Sequence, residues 1–118
     1  MAKGKVFIIQ EPMQFDRAGA FVKKRINLEA AHEYGELVIV FENPHSVLDR
    51  RIVMDKAHQA AEIYNEETDY VVPVGSPTLI AAMAWAIGLS GRKLRMLEWD
   101  RGLGKYNPTL CETLATIT

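Results

Sequence analysis

The residues with the clearest chemical potential sit where short apolar runs end. Gln10-Glu11-Pro12 follows the run Val6-Phe7-Ile8-Ile9, and Gly75-Ser76-Pro77-Thr78 follows Val71-Val72-Pro73-Val74. A glycine and a serine between a strand and a helix are the material of an anion-binding turn. Free N–H groups and the helix dipole favour negative charge there, and glycine lets a ligand approach the backbone. Gln10, Glu11, Gly75, Ser76 and Thr78 are therefore the candidate ligand-binding residues. The counter-evidence is specific. Pro77 removes a donor, no P-loop lysine follows, and the G-x-G-x-x-G cofactor pattern is absent, so no cofactor is assigned. Glu11, Glu42 and Asp100 at neighbouring strand ends would repel a phosphate. The simpler expectation is a corner whose hydrogen bonds are filled by the Ser76 hydroxyl as helix N-cap.

The same carboxylates suit a hard cation, since Mg²⁺ needs only one or two of them beside substrate phosphates. Glu11 after the first strand resembles a nucleotidyl-transfer site. The paired acids that such sites place after a later strand are missing, and Asp69 lies at the opposite end of its strand. Solvated loop acids are the plainer reading, and no metal ligand is assigned. Asp55, His58 and Glu62 share a helix face at spacings of three and four, which a solvated face with local charge pairs explains. His32, His45 and His58 are too dispersed for a zinc signature. Cys111 is the lone cysteine, so no internal disulfide forms, which suits a reducing cytoplasm. Basic clusters stand at Lys23-Lys24-Arg25, Arg50-Arg51 and Arg92-Lys93-Arg95, with Phe21 and Trp99 near two of them. A net charge of -1 and the lack of a recognised motif disfavour a nucleic-acid partner.

The elements that must carry these residues follow from periodicity. Lys5–Gln10, Glu36–Phe41 and Asp69–Val74 are short apolar runs that predict buried strands. Pro73 has no N–H and belongs at a strand end. A short helix is expected over Asn27–Tyr34, capped by Asn27 and stopped by Gly35. A longer helix is expected over Val47–Asn65, burying Val53, Ala57, Ala60, Ala61 and Tyr64, with Met54 beside them. Arg51, Asp55, His58 and Glu62 fall on its other side. A third helix runs from the Ser76-Pro77 start to about Leu89, and Gly91 closes the segment. Lys93–Trp99 is a fourth strand whose mixed polarity suggests a sheet edge. Asp100–Gly104 reads as a hairpin turn into a return strand from Lys105. Residues 13–26 lack clear periodicity. The chain of 118 residues fits one α/β domain, a Rossmann-like sandwich with a mainly parallel four- to five-stranded sheet and a C-terminal hairpin. The N-terminal apolar run is too short for a signal peptide or membrane span.

The helix after Gly75 gives a further signal. Leu79, Ile80, Met83 and Ile87 form the stripe expected to cover the sheet. The opposite face holds Ala81, Ala84 and Gly88, with Trp85 and Leu89 beside them, and the helix carries no charge. A helix apolar all round is usually buried on more than one side. Ala81, Ala84, Trp85, Gly88 and Leu89 are thus an expected surface for self-association or for a partner, unless the terminal hairpin or tail covers it.

Tyr34-Gly35-Glu36, Asp69-Tyr70, Gly75-Ser76-Pro77 and Trp99-Asp100-Arg101 with Tyr106 give the chain a resemblance to a group of small α/β proteins encoded by tailed bacteriophages. It covers about two-thirds of the chain. Ser76 stands where that group commonly has an aspartate, which argues against a metal role at this position. The resemblance implies a phage origin and an α/β fold, and brings no catalytic residues with it. The expected function is a non-enzymatic binding or accessory protein. It would be a homodimer, or the partner of a host or phage protein, in the cytoplasm of an infected bacterium. The alternative is a nucleotide-like ligand-binding protein, or a Mg-dependent phosphoryl-processing enzyme, using the strand carboxyl edge.

Overall fold

The computed structural model describes residues 4–10, 13–15, 21–23, 28–42 and 49–112, with side chains in all but 13–15 and 21–23. The elements in order are β1 (Gly4–Gln10), β2 (Met13–Phe15), β3 (Phe21–Lys23), a 3-10 helix (Glu29–Tyr34), β4 (Gly35–Phe41), α1 (Arg50–Ile63), β5 (Tyr70–Val72), α2 (Pro77–Leu89), β6 (Leu94–Asp100) and β7 (Lys105–Cys111). The main sheet has the order β4-β1-β5-β6-β7. β1 lies parallel to β4 and β5, β5 is parallel to β6, and β7 returns antiparallel to β6. This is a small Rossmann-like α/β sandwich.

The continuous apolar run of β1 is explained by two covered faces. Phe7 and Ile9 pack with Phe41 under α1 and α2, against Val53, Ala57, Leu79 and Met83. Val6 and Ile8 point the other way, toward Ala31 of the 3-10 helix, Leu97 and Tyr106. Asp49 starts α1 by accepting the Arg51 N–H at 2.9 Å. The stripe Val53, Ala57, Ala60 and Ala61 is buried, as its spacing predicts. Tyr64 ends the helix and ties it to β6: its hydroxyl donates to the Lys93 carbonyl at 2.7 Å and accepts the Arg95 N–H at 3.0 Å. Burial raises the Tyr64 pKa against the opposing pull of the Arg95 N–H and charge, so the phenol remains a donor.

Four expectations need correction. The aperiodic stretch after β1 contains β2 and β3, paired antiparallel as a separate two-stranded sheet. Three-residue strands are too short for an alternation to show. The helix before β4 is 3-10, begins at Glu29 after Leu28, and has no side-chain cap; the expected cap Asn27 lies outside the described residues. α1 is bounded by Asp49 and Tyr64, while 47–48 lie outside the described residues. Finally, β6 is not an edge strand, because β7 covers its outer side. Its mixed polarity has another origin. Arg95 lies over the Tyr70 ring, 4.1 Å from the centroid, and donates to the Glu67 carbonyl at 2.7 Å, so a charge occupies an interior strand with its contacts met. β7 is the edge on that side and β4 the edge on the other, and Pro108, opposite Leu97, makes β7 a poor template for another strand.

The amino ends of β1 and β5 meet at a buried carboxylate. Asp69 is fully buried and accepts the Lys5 N–H at 2.7 Å, the Asn65 N–H at 2.7 Å and the Thr68 hydroxyl at 3.0 Å. The Lys5 ammonium lies 3.1 Å away. Burial alone would raise its pKa, but these donors outweigh burial and hold it below the ordinary carboxylate value. Gly4 permits the approach, since a Cβ there would stand 2.3 Å from the Thr68 carbonyl oxygen. Asp69→Asn places an amide NH₂ against a backbone donor. We predict a loss of about 3 kcal/mol at neutral pH, the low end for a broken buried pair because Lys5 keeps part of its solvent. Because the native pKa is depressed, the carboxylate stabilises fully above about pH 4. The advantage of the wild type over Asp69→Asn should fade as pH falls through the native value, in urea titrations at stepped pH.

Candidate functional site

Two regions answer to the sequence expectations: the carboxyl edge of the strands and the outer face of α2. At the edge, β1 and β5 are neighbours, so the loops that follow them leave the sheet side by side. In open parallel sheets this is where ligands bind. Gln10 occupies the corner. Its N–H donates to the Val74 carbonyl at 3.1 Å, and its side-chain Oε1 accepts the Ser76 N–H at 2.8 Å. Gly75 has φ 117°, and a Cβ on it would lie 2.4 Å from the Gln10 Cβ. The glycine is therefore required by the close approach of Gln10, with no ligand needed to explain it.

Ser76 is the N-cap residue and Pro77 the first helical residue, as expected, and the Ile80 N–H donates to the Ser76 carbonyl. The Ser76 hydroxyl, however, makes no capping bond. The expectation that it closes the turn is overturned: Gln10 of the neighbouring strand takes the N–H of Ser76 itself, which fixes the turn without capping the first N–H groups of α2. A contact 66 positions away cannot be read from local sequence. Thr78 is exposed at the same corner. Glu11, Asn43 and His45 lie outside the described residues. Asp100 is engaged in its own hairpin, accepting from the Leu103 N–H at 3.0 Å and from Asn107 Nδ2 at 3.1 Å. Among the described residues, no cluster of three His, Cys, Asp or Glu side chains could hold a metal ion.

The basic cluster at the start of β6 is also tied into the fold. Arg92 donates to the Tyr64 carbonyl at 2.6 Å and to the Ser90 hydroxyl at 2.6 Å, and Lys93 lies 3.7 Å from Glu112. Lys24 and Arg25 lie outside the described residues. Cys111 is exposed on β7.

The outer face of α2 is different. Leu79, Met83 and Ile87 are buried against the sheet, with Ile80 beside them. Ala81, Trp85, Gly88 and Leu89 are exposed and Ala84 is half-buried, so the β6–β7 hairpin extends the sheet and does not cover this face. Trp85 is 50% exposed, and its ring meets His58 of α1 edge-on at 5.5 Å. A Cβ at Gly88 would meet nothing within 4 Å. Among the described residues nothing fills the room over the helix; the tail that was the other expected cover lies outside them from residue 113. A shallow cleft of about 260 Å³ runs beside it, between His58, Ala61 and Glu62 of α1 and Ala86, Leu89 and Arg92 around the end of α2. The part of His58 in this surface is not visible in sequence, since nothing local links it to Trp85. Among the described residues, no helix is long and apolar enough to cross a membrane.

A five-stranded, mainly parallel α/β sandwich with a plugged strand corner and an uncovered apolar helix is the class of protein these features define. The family model for the Phage Pam3 gp32-like protein matches residues 4–113, and the chain belongs to that family. No curated protein and no solved structure matches the chain.

Two substitutions separate the regions. Gln10→Ala leaves the Ser76 N–H without its acceptor and should lower stability by about 1–3 kcal/mol in denaturant titration. Gly88→Ala should instead stabilise by about 0.5–1 kcal/mol, because Ala is the better helix former and the site is open.

Proposed function

We propose that this phage protein is a non-enzymatic accessory protein, a homodimer in the cytoplasm of the infected bacterium, that engages a host or phage protein through α2. The surface consists of Ala81, Ala84, Trp85, Gly88 and Leu89. The observation that carries the reading is the half-exposed Trp85 on a helix without charge, beside a glycine that the fold itself does not require. Tryptophan on a small-residue surface supplies a large rigid contact, and Gly88 lets a partner backbone come close. The absence of charge on α2 favours a protein over a nucleic acid, whose phosphates need cations. The competing reading takes a nucleotide-like ligand at Glu11, Gly75, Ser76 and Thr78, and the adjacency of β1 and β5 is what favours it.

Tagged wild-type protein and two surface variants, Trp85→Glu and Gly88→Arg, should be compared in pull-downs from infected cells. Both variants should fold, as circular dichroism checks, and lose the same specific partner. Retention of that partner by both would sink the α2 reading. In parallel, nucleotides with Mg²⁺ should leave the melting temperature unchanged. A rise of several degrees that disappears in Thr78→Pro, while the Trp85 variants behave as wild type, would establish the ligand reading instead.

A further inference from the structure

α1 carries an exposed stripe of Arg51, Asp55, His58 and Glu62, with Ile52 and Ile63 exposed along its flank at 43% and 56%. At spacings of three and four, such charges ordinarily pair along the helix. Here they do not: among the described residues Arg51, Asp55 and Glu62 have no ion-pair partner within 4 Å. The expected local pairing is absent, although the stripe is where the periodicity places it. The order of the charges is also adverse to the helix itself. Arg51 sits in the first turn and Glu62 in the last, so each faces the like-signed end of the macrodipole.

An antiparallel copy of the same helix reverses both disadvantages. With a two-fold axis midway between residues 56 and 57, Arg51 of one copy lies level with the partner's Glu62. Asp55 lies level with the partner's His58, and each match occurs twice by symmetry. One step around the helix, Ile52 comes level with the partner's Ala61 and Ile63 with the partner's Arg50, so the flank adds no matched apolar pair. The two macrodipoles oppose, so Arg51 meets the carboxyl end of the facing helix and Glu62 its amino end. The stripe is therefore self-complementary in charge only when it meets itself in reverse.

We infer that a second copy of this chain docks on α1, helix against antiparallel helix, with Arg51–Glu62 pairs at both ends of the contact. The inference rests on the homodimer in the proposed function and gives it an interface on α1 that borders the α2 surface at His58 and Glu62. Arg51 and Glu62 are about 16 Å apart along one helix, too far to pair within a chain. Any energetic coupling between them must therefore run between copies.

Sedimentation equilibrium on the full chain tests this, with circular dichroism confirming that each variant folds. Arg51→Glu and Glu62→Arg should each weaken the dimer about ten-fold or more, and the double variant R51E/E62R should return to within about three-fold of wild type. A wild type that stays monomeric at about 100 μM overturns both the homodimer and its interface. A dimer indifferent to the single reversals, or a double variant weaker than either single, overturns the α1 interface and leaves the homodimer standing. A dimer lost only in Trp85→Glu transfers the interface to α2 and overturns the inference.

Discussion

The sheet depends on one buried carboxylate. β5 is only three residues long, yet it must lie between β1 and β6 and hold a parallel register with both. Parallel pairing of so short a strand supplies few hydrogen bonds, and β4 to β5 is a long crossover with its closure entropy. Asp69 fixes the entry. By taking the backbone donors of Lys5 and Asn65, it holds the first residue of β5 against the start of β1 independently of the strand hydrogen bonds. Around it the amino edge is packed to contact: a Cβ on Gly35 would lie 2.4 Å from the Gly4 carbonyl oxygen, and the Tyr34 ring meets Tyr70 edge-on at 5.3 Å.

The other end of β1 is closed by similar means. Gln10 bonds the chain after β5 twice, once through its backbone and once through its side chain. The consequence bears on function. Open α/β sheets commonly keep their polar groups free at this edge to hold a ligand. Here Gln10 is built into the turn and Asp100 into the hairpin, so two polar groups of the strand ends already have fold-internal partners. Among the described residues the helix layer is organised in the opposite way, with an exposed apolar face on α2 and, on α1, Arg51, Asp55 and Glu62 without an ion pair.

The legible parts of the fold were those set by local pattern. The run Val6–Ile9 announced a strand covered on both faces, and Val53, Ala57, Ala60, Ala61 and Tyr64 announced the buried side of α1; Leu37–Phe41 announced a strand too, but as the sheet edge β4 its residues 37–40 are only partly buried. The illegible parts depend on partners distant in sequence. The polarity of β6 suggested an edge because Tyr70, which receives Arg95, is 25 residues away. The Ser76 hydroxyl was expected to close the turn because the bond from Ser76 N–H to Gln10, a residue of another strand, leaves no local trace. β2 and β3 escaped because three residues cannot display a period of two. The exposed positions of α2 were visible in sequence, but the open space above Gly88 and the contact of Trp85 with His58 needed the helix pair in place.

The residues that gave the chain its phage resemblance have structural duties. Gly35 lets β4 approach β1, and Asp69 and Tyr70 anchor β5. Gly75 admits Gln10, and Asp100 shapes the hairpin. Trp99 packs edge-on against Tyr106 at 5.0 Å. A motif of this kind describes how the sheet closes, so it can identify a fold without naming an activity. The surface left to specify a partner lies between these positions, on two adjacent helices of opposite character. α2 offers apolar contact without charge, suited to burial against another apolar surface. α1 offers a charge order that its own helix disfavours and that an antiparallel neighbour satisfies. Such complementarity contributes register more than affinity. On the reading proposed above, charge on α1 would set the orientation of a second copy, and the tryptophan on α2 would supply area to a different partner.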